Sequence, residues 1–300
     1  MSIAAALRGL LDKEWRHNRG YLLVTLLLII FVPVIRTIWV SLQGDAALWQ
    51  WGQELNYALH FGTDINLLRP SAYSELLAWL PYMGSLLLGI IILGEEQRGS
   101  LRFLVSTPVS RRQIILAKFF AGAATILIAI LVSCLFLISL NWLHPMPFSS
   151  LEVLNWGFLA GAVCLGYFAM ALMVSTFTAG FLATGVIVYL LGIMLPGMFT
   201  AMIGGIAARY FAASQAVSIR IYTIGSYLNL NDYITRSGRN ITQVDHYTSP
   251  FMTGTTSHGG IEPAYLLESG LLLVGVLGLL VLAVIIFERV SLSAGGPMFS

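Results

Sequence analysis

Residues 95–118, EEQRGSLRFLVSTPVSRRQIILAK, form the only strongly charged stretch caught between two long apolar runs. Their chemistry suits docking, not catalysis. Glu95, Glu96, Arg98 and Arg102 offer charges of both signs to a partner, while Leu101, Leu104 and Val105 share the face of a helix that seats on an apolar surface. Proline lacks a backbone donor and pushes the residue before it out of helical geometry, so Thr107, ahead of Pro108, ends this first helix. Ser110 and Gln113 then stand at the spacing of a capping box that opens a second helix. The expected object is a lever: a short surface helix, a break at Ser106-Thr107-Pro108, and a helix that runs on into the next apolar run.

Other residues with chemical potential are weaker signals. His60 and Asp64 are four apart, and His246 and His258 lie in a second polar segment, an arrangement that could form a metal or substrate site. Scattered loop histidines are more often solvated surface groups, and no cysteine accompanies them, so no metal site is expected. Cys134 and Cys164 fall inside apolar runs and read as small packing residues. No GxxxxGK[ST] phosphate loop occurs, and HExxH, GxSxG and SxxK are missing too. The chain is therefore expected to need no cofactor of its own and to leave any nucleotide hydrolysis to another subunit. Nothing in it points to a nucleic acid.

The elements that must position the lever are membrane helices. Of the 300 residues, 57% are hydrophobic and only 10% charged, and the mean hydropathy is positive, which makes an integral membrane protein of all-α class. Runs of about 20 residues, enough to cross about 30 Å of hydrocarbon, occur near 21–40, 76–94, 119–141, 156–178, 181–203 and 264–287, giving six expected spans in a single domain covering 1–300. The fourth and fifth are separated only by Thr178-Ala179-Gly180 and must form a tight hairpin. Ahead of the first span, residues 1–19 alternate Leu7, Leu10, Leu11 and Trp15 with Arg8, Asp12, Lys13 and Arg16, the pattern of an amphipathic helix lying on the membrane surface. No cleavable leader is apparent in this stretch.

Four Lys and Arg residues precede the first span and five lie in 95–118, against Arg69 alone in 41–75. By the positive-inside rule both termini and the lever face the cytoplasm. Trp39, Trp49, Trp51, Trp79, Trp142 and Trp156 fall at outer span ends, where an interfacial aromatic belt sits. Span parity places 204–263 outside despite its four arginines, as an interfacial or re-entrant helix followed by an irregular exposed loop. Arg36, the one basic residue within a span, is near the outer end and can snorkel to the headgroups. Gly157 and Gly161 make a GxxxG for close helix packing, Ser85 and Gly89 a weaker equivalent, and Pro196-Gly197 with Gly204-Gly205 suggest a kink in the fifth span.

This organisation resembles the membrane subunit of a type 2 ATP-binding-cassette exporter, the bacterial ABC-2 permease family. Glu95, Glu96, Gly99, Leu101, Pro108, Ser110, Arg111 and Lys118 match the family's run of a Glu, a Gly and leucine-rich turn, a "tPvsR" and a Lys before the third span. The resemblance implies that 1–19 is an elbow helix and that 95–118 is a coupling helix seated in a separate ATPase subunit, through Glu95, Glu96, Arg98, Gly99, Leu101, Arg102, Leu104, Pro108 and Arg111. It further implies ATP and magnesium on that partner, a second permease copy or related chain in the bilayer, and a bacterial plasma-membrane location. The segment 204–263 is longer than the family pattern leads one to expect. Two other readings stay open: a sensing or immunity complex with the same ATPase but no net transport, and a secondary transporter or channel, for which ionisable groups at the span centres are expected. The substrate class most compatible with apolar spans is an amphipathic lipid, antibiotic or peptide.

Overall fold

Hydrocarbon offers backbone amides no partners, so a chain of long Leu, Ile, Val and Ala runs closes its hydrogen bonds within helices. The computed structural model follows that rule. It describes residues 3–61, 72–97, 110–144, 146–178 and 181–195, the single positions 198, 202, 203 and 206, and 247–249, 252–254 and 263–289. In order these form α1 (Ile3–Ile30), a wide π-type turn (Phe31–Arg36), α2 (Thr37–Ser41), α3 (Asp45–Phe61), α4 (Ala72–Gln97), α5 (Arg111–Leu143), α6 (Ser150–Ser175), α7 (Phe181–Tyr189, continuing into a second π-type turn, Leu190–Met194), strands β1 (Tyr247–Ser249) and β2 (Met252–Gly254), and α8 (Pro263–Arg289). β1 and β2 pair antiparallel, so the segment expected to be an irregular loop contains a short hairpin.

Helix α6 is the axis of the bundle. Small residues along it, among them Gly157, Ala160, Ala162, Cys164, Ala169 and Ala171, are buried, and α4, α5 and α8 all pack against it. Helix α1 lies against α4 and α5 on the far side. Outward faces carry Leu127, Leu131 and Leu135 on α5 and Val274, Leu277 and Val281 on α8, all exposed, as lipid-facing surfaces must be.

Three described helices, Arg111–Leu143, Ser150–Ser175 and Gly270–Arg289, are long and apolar enough to cross a membrane, and a fourth crossing is formed if α1 and α2 are taken as one bent span. The expected second and fifth spans coincide with shorter apolar helices, Leu80–Ile92 and Leu182–Gly192, so the count of six goes beyond what the described residues establish.

The helix expected to lie on the surface over 1–19 is not set apart from the first span among the described residues: Ile3–Ile30 is one continuous helix, with Leu10, Glu14, Asn18 and Leu22 buried and Trp15 exposed. Nothing between 3 and 30 breaks a helix except Gly9 and Gly20, which cost only about 1 kcal/mol each in a helix interior. The break comes later. Pro33 cannot donate to the preceding turn, and the chain answers with the π-type turn and a bend of 50° between Gly9–Ile30 and Pro33–Ser41. The fifth span likewise carries a π-type turn, Leu190–Met194, while Pro196, Gly197, Gly204 and Gly205, where a kink is expected, lie outside the described residues. Gly44, at φ +108°, makes a left-handed turn that lets α3 fold back beside α2.

The tight hairpin after α6 is present. Thr178 Oγ1 caps the Val174 carbonyl at 2.9 Å and meets Thr184 Oγ1 of α7 at 2.5 Å.

Close packing is real but distributed unlike its expectation. A Cβ added at Gly89 would lie 2.6 Å from Ala171 Cβ and 2.7 Å from the Phe168 carbonyl oxygen, so α4 and α6 touch backbone to backbone there. Gly157 presses on Cys134 Sγ, whereas Gly161 meets nothing nearer than Leu127 at 3.8 Å. The Ser85/Gly89 pair therefore marks the tighter contact, and of the GxxxG only Gly157 is constrained. Gly122 receives the ring of Phe168, which stacks on Phe119 with centroids 5.8 Å apart.

Candidate functional site

Two charged clusters occupy opposite ends of the bundle. At the first end stand the flanks of the expected lever. Glu95 and Glu96 are in the last turn of α4, and Arg111 is the first residue of α5. Arg98, Gly99, Leu101, Arg102, Leu104, Val105 and Pro108 lie outside the described residues. The expected capping box is formed: the Gln113 amide donates to Ser110 Oγ at 3.3 Å, and the Ser110 amide donates to Gln113 Oε1 at 3.0 Å. At 33 residues, α5 is roughly 50 Å long, so its first turns project beyond hydrocarbon that about 20 residues cross.

Those first turns grip the last helix. Arg111 Nη1 donates to the carbonyls of Phe287 at 3.3 Å and Glu288 at 3.1 Å, satisfying groups that a helix C-terminus leaves open. Arg112 makes a two-pronged pair with the Glu288 carboxylate through Nε and Nη2. That pair is exposed and adds little stability. Arg111, expected to face an ATPase, thus reaches back to α8.

Deeper in, Lys118 is fully buried and Glu14 is 1% exposed. The Lys118 ammonium donates to Glu14 Oε1 at 3.2 Å, Glu14 Oε2 at 3.1 Å and the Ile92 carbonyl at 2.8 Å. Asn18 Nδ2 donates to Glu14 Oε2 at 2.6 Å. Three helices, α1, α4 and α5, meet in this one node. Lys118 entered the sequence reading only as part of a motif, and Glu14 was missed because its neighbours Asp12, Lys13 and Arg16 are surface charges. The available signal was the buried row Leu10, Glu14, Asn18, Leu22, four residues apart.

At the other end, Arg36 does not snorkel away from the protein. Its guanidinium sits 5.5 Å from the Trp39 ring centroid and 5.7 Å from that of Trp51, a cation–π clamp joining the bend to α3. Trp51 Nε1 donates to Thr37 Oγ1 at 2.8 Å, and Thr37 in turn donates to the Pro33 carbonyl at 2.9 Å, which ties α3 to the bend. Burial raises the Glu54 carboxyl on α3 above its ordinary range, and the charge of Arg36 opposes that rise. The aromatic belt is accordingly split: Trp39, Trp49 and Trp142 are exposed, but Trp51 and Trp156 are packed in the core.

The remaining candidates are quickly placed. His60 belongs to α3, while Asp64, His246 and His258 lie outside the described residues. Among the described residues no three His, Cys, Asp or Glu side chains converge on a point that could hold a metal ion. Cys134 and Cys164 are buried thiols, and Cys134 Sγ donates to the Val153 carbonyl at 3.7 Å.

Comparison with known proteins gives this geometry its frame. Residues 10–292 match the family model described as ABC-2 family transporter protein. The chain is also similar to the probable ABC transporter permease YtrC of Bacillus subtilis (strain 168), at 26% identity over 142 residues, covering 45% of this chain and 38% of that protein. The aligned part is thus well under half of that relative's length. No solved structure matches. With apolar helices long enough to cross a bilayer and a family match over nearly its whole length, this multi-pass membrane protein belongs to the ABC-2 family of transporter proteins.

Proposed function

We propose that this chain is the permease subunit of an ATP-driven exporter and that residues 95–118 dock it on a separate ATP-binding-cassette ATPase. The observation that carries the reading is the convergence of the two flanks of that segment. The end of α4, with Glu95 and Glu96, and the capped start of α5 stand side by side, as the 2.8 Å approach of Lys118 on α5 to the Ile92 carbonyl on α4 marks. The two ends of the charged segment thus stand together, as those of a docking element must. In this reading the chain is one transmembrane domain of six spans in the bacterial plasma membrane, with both termini and 95–118 in the cytoplasm and 204–263 outside. Two such permease units serve two cassettes. ATP and magnesium belong to the cassettes, and an amphipathic lipid, antibiotic or peptide is the cargo.

The test is hydrolysis. The purified chain should turn over no ATP alone and should form a complex of two permease units with cassette subunits, visible by native mass measurement, whose ATPase it alters. Glu96→Arg places repulsion where attraction stood, and Leu104→Asp buries an unpaired carboxylate in the contact. Each should weaken cassette binding at least about tenfold, the effect of roughly 1.4 kcal/mol, with membrane insertion unchanged. Wild-type binding and ATPase in both variants would defeat the docking role. Transport of a labelled lipid or peptide into inside-out vesicles separates export from a complex that only senses.

A further inference from the structure

The buried Glu14–Lys118 pair has no part in docking as proposed above, yet it sits at the root of the docking segment. Ile92 stands three residues before Glu95, and in helical register its carbonyl also accepts the N–H of Glu96. Lys118 stands seven residues into α5, after Arg111. The other partner of Lys118, Glu14, belongs to neither flank but to α1, 104 residues away from Lys118 in sequence. Asn18, one turn further along α1, holds the same carboxylate at 2.6 Å.

Stability alone does not account for charges here. A buried ion pair is generally no better than well-packed apolar side chains of the same volume, because desolvation offsets the Coulomb attraction. What the charges add is register. An ammonium has three N–H donors, and all three acceptors are supplied by fixed positions on two other helices. Apolar contacts at this junction would let α1 slide by a fraction of a turn at small cost, whereas sliding here strands an ammonium or a carboxylate in an apolar setting.

We infer that Glu14 and Lys118 are positioning residues for coupling: they lock α1 to both flanks of segment 95–118, so that movement imposed there by a cassette is delivered to α1 as well as to α4 and α5. The inference rests on the proposed docking role and adds to it which helix must follow. A purely structural pair would stabilise the fold and transmit nothing in particular.

The experiment uses the full chain in complex with its cassette ATPase, reconstituted in lipid vesicles, with spin labels on Gly20→Cys of α1 and Leu154→Cys of α6. Gly20 borders open space and Leu154 is exposed, while Cys134 and Cys164 are buried from the label. Trapping the complex with ADP and vanadate should shift the α1–α6 distance when the native pair is present. The double variant Glu14→Met with Lys118→Met removes both charges together. It should keep cassette binding and thermal stability but lose the shift. Exchange of the charges, Glu14→Lys with Lys118→Glu, re-forms the α1–α5 tie and should restore it, which also covers the case of a double methionine variant that does not fold. No shift in the native complex, an unaltered shift in the double methionine variant, or a folded, cassette-bound exchange variant without it would each overturn the inference. Failure of any cassette to bind the native chain would instead remove the docking proposal, and this one with it.

Discussion

Replacing Lys118 alone by methionine is expected to cost about 3–5 kcal/mol of folding stability, the largest effect of any single substitution at the cluster that flanks 95–118. The cause is the carboxylate left behind. Glu14 is almost wholly buried, and without the ammonium its carboxylate keeps the Asn18 amide but loses its counter-ion, while the Ile92 carbonyl loses its second donor. A methionine fills most of the lysine's volume, so the loss is electrostatic and not a packing defect. The double variant with Glu14→Met should therefore recover most of the deficit, giving strong non-additivity between two sites in contact. Unfolding in mild detergent, followed for the parent, both single variants and the double, reads this directly. Additive losses would show that the two groups do not act as a pair.

The second large effect is expected at Gly89. Its α-hydrogen faces the backbone of α6, where a Cβ would come within 2.7 Å of the Phe168 carbonyl oxygen, and a carbonyl in a helix cannot swing aside as a side-chain tip can. Alanine there should cost about 1–3 kcal/mol and leucine more, because α4 must move off the helix on which α5 and α8 also pack. The same alanine at Gly161 should be nearly neutral, since its nearest neighbour stands at 3.8 Å. Thermal stability of the three variants in detergent separates the sites. Equal losses at Gly89 and Gly161 would contradict the packing described for α4 and α6.

Both effects bear on how the family's architecture works in this chain. The start of α5 is tied twice, to α8 through Arg111 and Arg112 and to α1 and α4 through Lys118. The first turns of α5, from the cap at Ser110 to Lys118, thus contact three other helices. The bend at Pro33 and its Arg36–Trp39–Trp51 clamp lie at the other end of α1. The two sites are joined by α1, one unbroken helix over Ile3–Ile30.

Much of this was legible in the chain itself. Apolar runs separated by polar breaks determine a multi-pass helical protein, because hydrocarbon leaves the backbone no alternative. The Ser110–Gln113 box determined where α5 begins, since a cap is made with residues three apart and needs nothing distant. Pro33 held the bend in its missing donor, although the run 21–40 reads as one straight span when only hydropathy is weighed. Tertiary structure alone decided the rest. Which glycine is tight depends on what stands opposite it, so the GxxxG at Gly157 and Gly161 overstated one position and the plainer Ser85/Gly89 pair concealed a backbone-to-backbone contact. Glu14 looked like one more charge on a solvated helix face. Only the packing of α1 against α4 and α5 removes it from solvent and brings Lys118 to it, because the desolvation that makes such a pair obligatory arises when three helices close over one point.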